Sequence, residues 1–302
     1  MKGTVVRSTG SWYRVMASDG TTTDCRLRGQ FRLRDKGQTN PIAVGDQVEV
    51  TQQDDGTGVI TAVDERRNCL IRRATKLSRQ THLIATNIDL MCIVTTLAAP
   101  RTSLGFTDRL LVSAEAYHIP PLIVVNKTDL HTPELNELMA RREAIYTAAG
   151  YRLLPLSART GEGLGALRQA VEGGTVLFVG HSGVGKSALL NALDPTLHLK
   201  VGAISDWSSK GRHTTTFAEL HPFAGGFLVD TPGIKEFGMV DYSAAELSHF
   251  FPEMRPLLAQ CRFANCTHVH EPHCAVRRAV EEGDLAAERY ESYLNMLASL
   301  DE

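Results

Sequence analysis

Thr175-Val176-Leu177-Phe178-Val179 runs directly into Gly180-His181-Ser182-Gly183-Val184-Gly185-Lys186-Ser187-Ala188. An apolar strand is followed by a loop of the form G-x-x-x-x-G-K-[ST], and the loop opens a helix that continues through Leu190, the context this motif requires. Glycines let the backbone N–H groups wrap a phosphate chain, and the helix N-terminus adds the positive end of its dipole. Lys186 is placed to reach the β- and γ-phosphates, and the Ser187 hydroxyl to bind Mg²⁺. The stretch from Gly180 to Ala188 therefore reads as a phosphate-binding loop, with His181 as a variable position whose side chain points outward.

Working outward, the base-recognising elements lie upstream. Asn126-Lys127-Thr128-Asp129 follows the apolar run Leu122–Val125. A carboxylate such as Asp129 can accept from the ring N–H and the exocyclic amine of guanine together, a donor pair that adenine lacks. Asn126 would tie the loop together and the Lys127 stem would cover the base plane. Ser157-Ala158, after Arg152–Leu156, fits the element whose backbone meets the guanine oxygen. Downstream, Asp230-Thr231-Pro232-Gly233 ends another apolar strand and fits D-x-x-G, with Asp230 on Mg²⁺ through water and the Gly233 N–H sensing the γ-phosphate. Between them, Gly211-Arg212-His213-Thr214-Thr215-Thr216 stands where a switch loop belongs. Thr215 is favoured to join Ser187 on Mg²⁺ in the GTP state, with Thr214 as the alternative.

The order of these elements is unusual. N-K-x-D and S-A precede the phosphate loop, the switch and D-x-x-G, whereas an ordinary GTPase places them last. The same sheet can be built with the chain cut elsewhere, because domain termini often lie close together. The D-x-x-G element then leads directly into the C-terminal part of the chain, so nucleotide state could move that part.

The 302 residues suffice for two or three domains. The first seventy read as short strands at Thr4–Arg7, Trp12–Ala17, Thr22–Leu27, Gln47–Thr51 and Val59–Val63. Turns at Asp19-Gly20, Gly45-Asp46 and Asp54-Asp55-Gly56 divide them, which suggests an OB-fold, with an SH3-like barrel fitting nearly as well. From residue 70 strands (Ile88–Val94, Leu122–Val125, Arg152–Leu156, Val176–Val179, Phe227–Val229) alternate with helices (Thr107–Tyr117, Glu134–Ala149, Lys186–Leu193), implying a mostly parallel sheet. After Phe237 the pattern is helical, at Tyr242–Phe251, Val276–Glu282 and a last helix that Asp284 can cap, with Tyr290, Leu294 and Leu297 on one face. The expected division is an OB-fold-like RNA-binding barrel over 1–69, a circularly permuted P-loop GTPase domain of α/β class over 70–238, and a helical metal-binding domain over 239–302.

Charge is uneven although the total is only −2. Residues 1–36 carry eight Lys/Arg against three Asp/Glu; residues 66–79 add Arg66, Arg67, Arg72, Arg73, Lys76 and Arg79 with no acid; residues 239–302 hold five Arg against eleven acids. A basic end suggests an anionic partner, nucleic acid being the commonest. Trp12, Tyr13 and Phe31 near Arg14, Arg28, Arg32 and Arg34 allow a stacking surface, though such aromatics more often fill a barrel core. No apolar run reaches the roughly 18 residues of a membrane span and no secretory signal opens the chain, so a cytosolic, membrane-free protein is expected. Nothing suggests an obligate dimer, and a monomer is expected.

Six cysteines are present, and three of them, Cys261, Cys266 and Cys274, fall within fourteen residues among His268, His270 and His273. Without a secretory signal this pattern favours a metal over disulfides. Three thiolates and one imidazole suit a closed, structural tetrahedral Zn²⁺ site. Residue types alone leave the three histidines in competition for the fourth place.

Taken together, the permuted order of these motifs, Thr86-Asn87-Ile88-Asp89 ahead of the first GTPase strand and the cysteine spacing resemble the circularly permuted, ribosome small-subunit-dependent GTPase A family of bacteria, over essentially the whole chain. The resemblance implies an N-terminal OB-fold, a permuted GTPase domain and a C-terminal zinc domain. It also implies GTP hydrolysis to GDP, stimulated by the small ribosomal subunit late in that subunit's maturation, with binding to the subunit and its rRNA. It favours His268 as the fourth zinc ligand. Ile234 after D-x-x-G cannot orient a water, and the nearest polar candidate is His213, to which the resemblance also points; slow intrinsic turnover is then expected. Two other readings compete. One is a switch whose output is protein docking through the zinc domain, separable by its weaker salt dependence. The other is a GTPase of tRNA or membrane metabolism, against which stand the absence of an anchor and of a second catalytic motif.

Overall fold

The computed structural model describes residues 1–9, 11–28, 41–73, 81–199, 218–230 and 242–300. In chain order the strands are β1 (Lys2–Ser8), β2 (Tyr13–Ala17), β3 (Thr22–Leu27), β4 (Gln47–Gln52), β5 (Gly58–Val63), β6 (Cys69–Arg73), β7 (Thr81–Thr86), β8 (Leu90–Thr95), β9 (Pro121–Val125), β10 (Arg152–Pro155), β11 (Thr175–Val179), β12 (Glu219–Phe223) and β13 (Gly226–Asp230). The α-helices are α1 (Leu104–Ala116), α2 (Pro133–Ala148), α3 (Leu164–Val171), α4 (Lys186–Leu193), α5 (Ala244–Leu247), α6 (Arg255–Leu258), α7 (Ala275–Glu282) and α8 (Ala287–Ala298). The described residues fall into two compact units. One comprises those of Met1–Leu90, Arg168–Phe178 and Ser205–Ile234, the other those of Met91–Leu167, Val179–Ile204 and Lys235–Glu302.

In the first unit β1 to β5 close into a barrel. β1 pairs antiparallel with both β2 and β4, β2 with β3 and β4 with β5, while β3 runs parallel to β5. This is the OB arrangement, and the SH3-like alternative falls away. Alternation along the strands sends Val5, Tyr13, Val15, Cys25, Val48, Val50 and Ile60 inward, with Ile42, into one apolar core. Tyr13 is thus core, not a stacking surface. β6 and β7 form an antiparallel hairpin, and β11 pairs in parallel with β13, itself antiparallel to β12. The basic run at 66–79 and the stretch before Ile88 had given no strand reading, so this hairpin is new.

Thr86-Asn87-Ile88-Asp89 is a stitch. The buried Asp46 carboxylate accepts from Thr86 Oγ1 at 2.8 Å and from Arg66 Nε and Nη2 at 2.7 and 2.8 Å. Asn87 Nδ2 donates to Gly45 O, its Oδ1 accepts from the Arg67 amide, and Asp89 Oδ2 accepts from the Thr175 amide. Arg67 Nη1 lies 2.7 Å from Asp89 Oδ1. Arg66 and Arg67, part of the basic run expected to face an anionic partner, are therefore engaged on carboxylates of their own chain.

In the second unit β8, β9 and β10 are parallel in the order β10-β9-β8. Each is followed by a connection carrying a helix, and α1 and α2 are capped by the Ser103 and Thr132 side chains. The helical C-terminal segment packs Leu247, Phe251, Met254, Val276, Ala279, Leu285, Tyr293 and Met296 against Val112 of α1. The expected helix Tyr242–Phe251 is split into α5, opened by a Ser243–Glu246 capping box, and a 3₁₀ turn over Ser248–Phe250. Asp284 does not cap the last helix. Its amide donates to Ala279 O beyond the left-handed Gly283, closing α7, and Ala286 is the N-cap of α8.

Candidate functional site

The phosphate loop joins β11 to α4. Gly180 has φ +146°, and a Cβ there would stand 2.3 Å from Val94 O. Gly185, at φ +94°, is the N-cap of α4, and a Cβ would meet Asn126 Nδ2 at 2.5 Å. Both positions require glycine, the first and second fixed glycines of the motif. Lys186 Nζ donates to Gly180 O and His181 O at 2.6 and 3.0 Å, curling back over the loop it belongs to. Burial holds the Lys186 ammonium below its ordinary pKa, so the loop offers a partly desolvated cation to an anion. Val184 and Ser187 are buried, Gly180, His181, Gly185, Lys186 and Ala188 half-buried, and Ser182 and Gly183 exposed.

The base loop is fastened to the phosphate loop by one side chain. Asn126, 1% exposed, donates from Nδ2 to Val184 O at 2.9 Å and accepts at Oδ1 from the Ala158 amide at 3.0 Å. Three motifs separated in sequence thereby share one amide group. Lys127, in the left-handed region at φ 66°, donates to Ala99 O at 2.6 Å and Gly183 O at 2.8 Å. Asp129 accepts from Ser157 Oγ at 2.5 Å on Oδ1 and from Arg159 Nε at 2.8 Å on Oδ2. The Ser157 hydroxyl first, with Arg159, holds the Asp129 carboxyl below the usual carboxylate range. It is an anion at neutral pH, and a carboxylate keeps lone pairs to accept from a ligand's N–H groups. Thr128 begins the single 3₁₀ turn that follows.

The sequence reading missed the segment between β8 and α1. Thr96 Oγ1 donates to Pro100 O, Thr102 Oγ1 accepts from the Thr96 amide at 3.0 Å, and Thr102 O accepts from the buried Arg142 Nη2 at 2.8 Å. A Cβ on Gly183 would lie 3.2 Å from Pro100. His181 turns toward this segment, not outward: its Nε2 lies 2.7 Å from Thr102 Oγ1 and its ring meets Phe106 edge-on at 5.3 Å. No short motif marks such a brace; only the buried Thr102 and Arg142 betray it.

Asp230 ends β13, half-buried, with His221 Nε2 3.8 Å from its Oδ2. His213, Thr214, Thr215, Gly233 and Ile234 lie outside the described residues.

Cys261, Cys266, His268 and Cys274 bring their ligand atoms to within 4.8 Å of one another. Tetrahedral zinc sets its ligands about 3.8 Å apart, so the spacing suits that ion. His268 Nδ1 lies 3.7 Å from Cys261 Sγ and 3.4 Å from Cys274 Sγ, while His270 and His273 are exposed and outside the cluster. Burial above all, with the neighbouring Cys274 and Cys261, pushes the Cys266 thiol up to about 12, a strain that a cation relieves. The loop is shaped by Glu271, whose carboxylate accepts from Thr267 N and Oγ1 at 2.6 Å and from the Val269 amide at 3.0 Å. Tyr290 and Tyr293 of α8 donate to His268 O and Thr267 O at 2.6 and 2.8 Å.

On the barrel, Trp12 is half-exposed with the Arg26 guanidinium 4.1 Å over its ring, and Arg14 is paired with Asp24 at 2.9 Å. Phe31, Arg32, Arg34, Lys76 and Arg79 lie outside the described residues. Among the described residues no helix is long and apolar enough to cross a membrane.

Comparison with known proteins matches residues 63–240 to the RsgA GTPase family and residues 2–60 to the RsgA N-terminal domain. A Bacteroides fragilis protein named small ribosomal subunit biogenesis GTPase RsgA is 46% identical over 100% of this chain and 98% of its own. The protein of that name from Flavobacterium johnsoniae is 44% identical over 100% of this chain and 94% of its own. The crystal structure of YjeQ from Thermotoga maritima superposes with a TM-score of 0.82 at 37% identity, covering 99% of this chain and 98% of that one. YloQ, described as a circularly permuted GTPase, gives 0.78 at 30% identity, covering 99% of this chain and 94% of that one.

Proposed function

The chain belongs to the RsgA GTPase family and is a GTPase, and from that premise we propose that its hydrolysis of GTP to GDP serves late maturation of the small ribosomal subunit. One observation carries the nucleotide assignment. Asn126 binds the phosphate loop at Val184 and the S-A loop at Ala158 with a single buried amide. In this reading Gly180–Ala188 hold the phosphates, Asp129 accepts from the guanine ring N–H and amine, Lys127 covers the base, and Ala158 meets its oxygen. Bound Mg²⁺ would offset charge on the β- and γ-phosphates. Hydroxyl and carboxylate oxygens suit that hard cation, and Ser187, Thr215 and Asp230 (through water) are the residues proposed to hold it. His213 is proposed to orient the attacking water and Gly233 to sense the γ-phosphate.

Zinc is the metal proposed for Cys261, Cys266, His268 and Cys274, where a sulfur-rich, closed donor set favours a structural role. We divide the chain functionally into an RNA-binding barrel over 1–69, the GTPase over 70–238 and the zinc segment over 239–302. The barrel and the zinc segment would contact the subunit and its rRNA, with the protein working as a cytoplasmic monomer.

Turnover of GTP with and without purified small ribosomal subunits, with an ATP control and a His213→Ala variant, tests this reading. Strong stimulation for GTP alone, lost in the variant, is expected. Stimulation that survives the substitution removes His213 from catalysis, and the absence of any stimulation overturns the ribosome assignment.

A further inference from the structure

Arg289 of α8 is 1% exposed, yet its guanidinium serves carboxylates from α1 and from the turn at Glu253. Nη1 donates to Asp108 Oδ1 of α1 at 2.6 Å, while Nε and Nη2 donate to Glu253 at 2.7 and 3.3 Å. The rings of Phe251, Tyr151 and Tyr146 close over it at 4.6, 5.5 and 5.9 Å. Such a cluster is a poor way to gain stability, since well-packed apolar side chains of similar volume often do as well or better. What this cluster does is tie α8, α1 and the turn at Glu253 together through one side chain.

Those elements lead to the two sites. On the α8 side, Tyr290 and Tyr293 follow Arg289 and donate to the carbonyls of His268 and Thr267 in the metal loop. On the α1 side, Asp108 stands two residues after Phe106 and six after Thr102, and these two hold the His181 ring of the phosphate loop. Arg142 anchors Thr102 from a third direction. The contacts are continuous: metal loop, α8, Arg289, Asp108, α1, Thr102, His181.

We propose that Arg289 is a positioning residue that links nucleotide occupancy of the phosphate loop to order in the metal-holding loop 261–274. The proposal rests on the nucleotide and metal assignments above. It names a route distinct from the covalent one, in which the strand ending at Asp230 leads through 231–241 into the helical segment. Linkage of this kind is reciprocal, so GDP binding at the phosphate loop must protect the metal loop if order in that loop favours GDP.

The experiment is amide hydrogen exchange of the full-length, metal-loaded chain with and without Mg·GDP, read at residues 261–274. GDP saturation is checked separately on each sample with fluorescently labelled GDP. GDP is expected to slow exchange there by about fivefold, the lower end of ordinary coupling. In Arg289→Met that ratio should fall to about one. A purely structural role would instead raise exchange equally with and without GDP, leaving the ratio unchanged. Thr102→Val tests the other end without touching the ion cluster, and decides the matter if Arg289→Met does not fold. A ratio preserved in either folded variant with GDP bound overturns the proposal, as does a native protein that binds GDP without protection. A native protein that fails to bind GDP overturns the nucleotide assignment as well, and the labelled-GDP measurement tells the two failures apart.

Discussion

Asp129 carries the base specificity in this reading, and its surroundings explain why it can. The Ser157 hydroxyl at 2.5 Å and the Arg159 guanidinium at 2.8 Å hold the carboxyl ionised and in one orientation. A fixed carboxylate is acceptor-only, which matches the two adjacent donors of guanine, a pair that adenine lacks. Asp129→Asn keeps the shape and puts a donor where an acceptor stood. Losing a charged hydrogen bond costs about 1.5–3 kcal/mol, so affinity for labelled GDP should fall by roughly 10- to 150-fold. Xanthosine diphosphate carries a carbonyl in place of the guanine amine and should bind the variant more tightly than the native protein. Equal affinity of variant and native protein for GDP would take Asp129 out of base recognition. His181 teaches the complementary lesson. A motif position with no fixed residue type gives no hint of its direction, and only the tertiary contact with Thr102 and Phe106 turns it inward.

Among elements, the 261–274 loop is held by hydrogen bonds as well as by packing. Its residues contribute Cys274 and the partly buried Cys261 and Cys266 to the neighbouring core, the buried His268 ring packs near Tyr293, and Glu271 and two tyrosine hydroxyls add hydrogen bonds. Metal binding and folding are coupled in such loops. Treatment with a strong chelator, or Cys266→Ser, should abolish hydrogen-exchange protection at 261–274 and in α7 while β1–β5 stay protected. Unchanged protection would mean that the tyrosine contacts suffice without a metal. This loop was legible in the sequence because three cysteines and three histidines in fourteen residues are chemically unusual. The barrel strands, the strands before each nucleotide motif and α4 were legible for a different reason: uninterrupted apolar or alternating runs meet turn residues at both ends. The β6–β7 hairpin was not, because its arginines break the alternation and its partner is supplied only by tertiary pairing. β12 escaped notice because Pro222 lies inside it, a residue that argues against a strand unless pairing on one side suffices. The brace between β8 and α1 has no periodicity at all; it is specified by hydrogen bonds of Thr96, Thr102 and Arg142 that only the folded chain brings together.

For the molecule as a whole, the question is which of its basic groups are available to an anionic partner. Residues 1–36 carry an excess of five positive charges, and 66–79 carry six with no acid among them in sequence. The structure separates these groups by what they already hold. Arg66 closes a fork on Asp46, whose side chain is fully buried, so its charge is committed to the fold. Arg26 and Arg28 are exposed, and Arg26 lies over the half-exposed Trp12 ring, an arrangement suited to phosphate contact beside a stacked base. These two classes predict different behaviour toward small ribosomal subunits. Binding dominated by RNA phosphates weakens linearly in log affinity against log salt, with a slope of about −0.7 to −0.9 per phosphate neutralised. The Arg26→Ala/Arg28→Ala pair should flatten that slope by roughly 1.4–1.8 and leave denaturant stability nearly unchanged. Arg66→Ala should do the reverse, leaving the slope intact while costing about 3 kcal/mol of stability, because it leaves the buried Asp46 carboxylate with neutral donors and no charged partner. Binding titrations between about 50 and 200 mM salt, paired with urea unfolding of each variant, read both quantities. If the slope responds to Arg66 and not to Arg26 and Arg28, the barrel's aromatic–arginine face is not the one that meets the RNA. A slope near zero for the native protein would instead favour a docking surface made of protein.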